Sequence, residues 1–170
     1  MVMLILFLYA FASNVALAVV PHEPVVIWYG AQVGVWLTAA VATAGTVAAS
    51  LVDHRVFVPV LDRVSTTRPM STGLVGKMRR GFSRAPFAII ALSGITPLPA
   101  WPFKAMAFAG GYPLGRYVAA VAVGRFPRYL LLAWFGVLVD IPTWILAVAF
   151  SLLILVPLMR LIPWQRQREN

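Results

Sequence analysis

Glu23, Lys104, Arg125 and Arg128 are charged side chains set in otherwise apolar stretches, where charge is costly. Glu23 is the only carboxylate between Met1 and Val52, and Pro21 and Pro24 frame it in the sequence PHEP. Burial favours the neutral form of such a group, which makes Glu23 a candidate proton carrier. The other reading is a wet turn in which Glu23 and His22 are ordinary solvated residues. Arg125 and Arg128 stand in GRFPRY. At i and i+3 of a helix they project to one side, and Pro127 between them frees a backbone carbonyl. Two guanidinium groups so placed could hold a phosphate or carboxylate, snorkel to an interface, or pair with Glu23. Lys104 follows Pro102 at the start of an expected half-helix, where the positive end of the helix dipole suits anions. Arg116 reads as an interface anchor.

Other chemistries lack their residues. The 170-residue chain has no cysteine, so it has no thiol nucleophile, disulfide or cysteine-bound metal, and its two histidines, His22 and His54, lack metal-ligand spacing. There is no Walker A loop, no H-E-x-x-H and no G-x-S-x-G, so neither an enzyme nor a cofactor is expected. The formal charge of +9 could suggest nucleic acid. The basic residues instead fall in two blocks outside the apolar runs, as cytoplasmic loops do.

The elements that must position these residues follow from composition. Hydrophobic residues make up 61% of the chain, and the mean hydropathy is +0.87. That predicts an all-α polytopic membrane protein. Met1–Val20 has neither a basic start nor a small-residue cleavage site, so it does not read as a removable signal. Pro97, Pro99 and Pro102 forbid one straight helix through the next apolar stretch. Broken backbone is tolerated at membrane depth only inside protein or beside a wet cavity. Ala85–Pro113 is therefore expected to be a re-entrant hairpin with its tip at Thr96–Pro102. A second tip is expected at Pro21–Pro24, with Pro24 to about Gly34 leading out and about Val35–Val52 crossing. Two plain spans joined by PHEP are the alternative. Residues 1–52 thus form the first hairpin and span, 53–84 a basic cytoplasmic loop, 85–113 the second hairpin, 114–159 two spans and 160–170 a basic tail. Two cytoplasmic basic blocks require an even number of crossings between them, which a hairpin plus two spans provides. The two hairpins would enter from opposite faces, and about three helices would span.

The stretches PLPAWPFKAMAFAGG (Pro97–Gly111) and LGRYVAAVAVGRFPRYLLLAWFG (Leu114–Gly136), with PHEP as the first tip, resemble the DedA/VTT superfamily, also called SNARE-associated Golgi proteins. The likeness is to its short bacterial branch and covers roughly residues 14–139. It implies two inverted re-entrant hairpins meeting near mid-membrane, in a bacterial inner-membrane protein with its basic loop and tail cytoplasmic. It also implies transport or scrambling of anionic lipids, phospholipid or polyprenyl phosphate, coupled in some members to protons. Glu23 falls on the family's first-tip acid and Arg125 and Arg128 on the branch's arginine pair. The chain departs from many members in lacking a second carboxylate within Pro24–Val52, and in having Thr96 and Pro102 where they place arginines. The competing expectation is a non-transporting membrane scaffold for envelope assembly. Proton or cation coupling and homo-oligomer formation stay open.

Overall fold

The computed structural model describes residues 1–15, 22–65, 82, 84–96, 101–139 and 142–161. Among these, all regular structure is helical: α1 (Val2–Asn14), α2 (Glu23–Val33), α3 (Val35–Ser65), α4 (Pro86–Ile95), α5 (Trp101–Ala109), α6 (Leu114–Leu138) and α7 (Thr143–Leu161). Two segments among the described residues are long and apolar enough to cross a membrane: Val35–Val56 of α3 and the whole of α6. The expected tip prolines Pro21, Pro97 and Pro99 lie outside the described residues, as do 66–81 of the basic loop and 162–170 of the tail.

Prolines and glycines set the helix ends. Pro24 and Pro102 are the second residues of α2 and α5, where a missing N–H costs nothing. α2 ends at Gly34, whose φ of 95° turns the chain directly into α3. α5 ends on Gly111 at φ 63°. There the Gly111 N–H donates to the Phe108 carbonyl and the Tyr112 N–H to the Ala107 carbonyl, a Schellman closure that satisfies two orphan carbonyls. The order short helix, break, short helix, left-handed glycine, long helix therefore occurs twice.

The packing follows the same repeat. α1 lies on α3 and α4 lies on α6. The second short helices cross over, α2 onto α6 and α5 onto α3, while α3 and α6 pack along each other at the centre. Small residues permit these contacts. A Cβ on Gly136 would come within 2.0 Å of the Ile27 carbonyl oxygen, and one on Gly124 within 2.2 Å of that of Ala91. α6 thus meets α2 and α4 backbone to backbone. One buried cluster joins Ala10, Val26, Ala39, Ala42, Tyr129 and Ala133; another joins Ile90, Phe108, Tyr117 and Val121. α7 packs against α2, and its Phe150 ring lies near Tyr9. α3 runs on to Ser65, so the loop boundary expected at residue 53 falls inside a helix.

Candidate functional site

Glu23 opens α2, where a negative charge complements the helix dipole. Its Oε2 accepts the backbone N–H of His22 at 3.1 Å, and its Oε1 accepts Nη2 of Arg128 at 2.6 Å. The same guanidinium donates from Nη1 to the Thr96 carbonyl at 2.8 Å, just past the end of α4. One side chain on α6 thereby ties the beginning of α2 to the end of α4. α6 remains helical through Pro127, so its 3.6-residue repeat sets where Arg125, Arg128 and Tyr129 project.

His22 is the N-cap residue of α2 but makes no side-chain capping bond. Its ring meets Tyr129 edge-on, with centroids 5.2 Å apart, and its Nε2 is buried without a hydrogen-bond partner. The Tyr129 hydroxyl shares a 2.8 Å hydrogen bond with Thr46 of α3. Arg125 lies one turn before Tyr129 on the same face of α6 and is buried. Among the described residues it joins no ion pair and donates no hydrogen bond. It is close enough to His22 and Glu23 to act on both through its charge.

A second ionic contact joins the other crossing pair of helices. Lys104 of α5 pairs with Asp53 of α3 and lies 3.5 Å from the Asn14 carbonyl at the end of α1. Asp53 is 1% exposed. With Thr46 and Ser50 it forms a buried polar stripe on α3 at spacings of four and three residues. The Ser50 hydroxyl bonds the Thr46 carbonyl.

The expected residues are therefore distributed between two contacts. Arg128, and not Arg125, takes Glu23, while Lys104 is paired with a carboxylate. Pro24 and Pro102 stand at the helix starts, and Arg116 is exposed. Asp53 and the Thr96 carbonyl were not foreseen. The Thr46–Ser50–Asp53 spacing was the signal available for Asp53; nothing in sequence singles out a backbone carbonyl. No group of three metal-ligating His, Asp or Glu side chains occurs among the described residues. A cavity of about 190 Å³ between α2, α6 and α7 is lined by Trp28, Gln32, Thr143 and neighbours, none of them charged. Compared with family models, with curated proteins and with solved structures, the chain matches none.

Proposed function

We propose that this protein is a bacterial inner-membrane lipid transporter or scramblase of the DedA/VTT type, moving anionic lipids between leaflets. On this reading α1–α2 and α4–α5 are re-entrant hairpins entering from opposite faces, and α3, α6 and α7 span. The geometry of the short helices supports it: nine or ten residues in α4 and α5 rise only about 15 Å, roughly half of a hydrocarbon core. The observation that carries the reading is Arg128 joining Glu23 at the start of α2 to the Thr96 carbonyl after α4, with the buried Arg125 one turn earlier on α6. Charged groups gathered where two broken helices meet are what a midplane headgroup site requires. Glu23, whose side chain keeps 32% exposure, then couples or gates by releasing Arg128.

The scaffold alternative has its own support, because Glu23 and Lys104 are both already paired. Translocation in proteoliposomes separates the two readings. Wild type should move a fluorescent phospholipid or a polyprenyl phosphate. Glu23→Gln and Arg128→Ala should each slow it by about tenfold, the equivalent of about 1.4 kcal/mol. Folded wild type that moves neither lipid above empty liposomes would sink the transporter reading and favour the scaffold.

A further inference from the structure

Four of the five charged side chains gathered between α2, α3, α5 and α6 are matched, Glu23 by Arg128 and Asp53 by Lys104. Arg125 is the remainder. It is 9% exposed, and no carboxylate or hydrogen-bond acceptor among the described residues meets its guanidinium. A buried charge without a partner is strongly unfavourable, so a residue in this position calls for a counter-charge from outside the chain. Glu23, whose oxygens accept from Arg128 and the His22 backbone, acts on Arg125 only at a distance and makes no ion pair or hydrogen bond with it.

A second unpartnered group lies beside it. His22 is 6% exposed and its Nε2 has no hydrogen-bond partner. Its ring is fixed against Tyr129, one helical turn from Arg125. With the proton on Nε2 the imidazole is a donor, and the guanidinium is a planar fork of N–H groups. Two sets of unfilled donors, close enough to interact through charge and one of them carrying full charge, match an oxyanion in hydrogen-bonding capacity and in sign.

We propose that Arg125 and His22 Nε2 together form a receptor for a single oxyanion of the phosphate class, bordered by the Glu23–Arg128 pair. The proposal rests on the transport reading only for the origin of the anion. A lipid phosphate headgroup and free inorganic phosphate share the chemistry that is recognised.

The full chain, purified in a non-ionic detergent without phosphate, is titrated with inorganic phosphate and, separately, with dihexanoyl phosphatidic acid, following the thermal midpoint. At least one probe should raise the wild-type midpoint, by about 5 °C near saturation. Arg125→Gln should abolish the rise and, with no probe present, melt no lower than wild type, because it removes an uncompensated charge. His22→Phe should weaken binding by about tenfold, the loss of one donor to a charged group. A response to inorganic phosphate identifies a free-anion site; a response to phosphatidic acid alone identifies a headgroup site. The proposal is overturned if neither probe acts, if Arg125→Gln responds like wild type, or if it melts lower without a probe. Should that variant fail to fold, Arg125→Lys takes its place, and unchanged affinity there overturns the fork geometry. Binding without lipid translocation leaves this site standing and removes the transport reading. Translocation that survives Arg125→Gln, with no thermal response, does the reverse.

Discussion

Asp53 and Lys104 hold opposite charges across the α3–α5 contact, with Asp53 almost wholly enclosed. Breaking such a pair is costly because the survivor is left charged and buried, whereas removing both charges together can be nearly neutral. Asp53→Asn and Lys104→Met should each destabilise the protein by about 3 kcal/mol, while the double variant should recover most of that loss. A double-mutant cycle on unfolding free energy reads this directly, and a coupling near zero would mean that each residue is held by its other neighbours. Both residues do have further interactions, so the cycle isolates the pair alone. Arg125 follows the opposite logic, since among the described residues it has no ion pair or hydrogen bond to lose.

Helix against helix, the fold depends on small residues at three crossings. Gly45 admits the backbone of α1, Gly124 that of α4 and Gly136 that of α2. Gly136→Ala puts a methyl group where the Ile27 carbonyl now stands, forcing α2 and α6 apart at a cost of about 1–3 kcal/mol. Because α2 carries Glu23 and α6 carries Arg128, the displacement should also loosen their contact. Gly115→Ala is the control, as its Cβ would meet nothing within 4 Å. Thermal unfolding of the two variants separates them, and a Gly136→Ala protein as stable as the control would contradict the described crossing.

Across the whole molecule the two ionic contacts occupy related places in the repeat with reversed polarity. In one, an acid on α2 meets a base on α6; in the other, a base on α5 meets an acid on α3. Each basic side chain also reaches the carbonyl at the end of a third helix, Arg128 to Thr96 and Lys104 to Asn14. If the short helices are re-entrant, their junctions do not surface on the far side. The absence of cysteine makes single-cysteine labelling with a membrane-impermeant maleimide straightforward. Arg84→Cys and Gly115→Cys should label from one face and Gln32→Cys from the opposite face. Thr96→Cys should resist reagent added on the Gln32 side. Ready labelling of Thr96→Cys from that side would replace the hairpin with two full crossings.

Local physics made much of this organisation readable without coordinates. Proline cannot donate in a helix interior, and this alone placed breaks at Pro21–Pro24 and Thr96–Pro102, ranges within which α2 and α5 begin. Apolar run length marked the start of α6 at residue 114 and the start of α3 at about Val35. The i, i+3 spacing put two arginines near one another, but it could not say which would find a partner. Three residues of helix leave an angular offset of about 60°, enough to turn Arg128 toward Glu23 and Thr96 and leave Arg125 without either. Asp53 read as the first residue of a basic loop because the residues that bury it come from other helices. Its partner Lys104 is 51 positions away, and Glu23 and Arg128 are 105 apart. Spacing along one helix is a property of the sequence. The choice of counter-ion, and with it which charge is left over, is made by how α2 and α5 cross onto the opposite long helices.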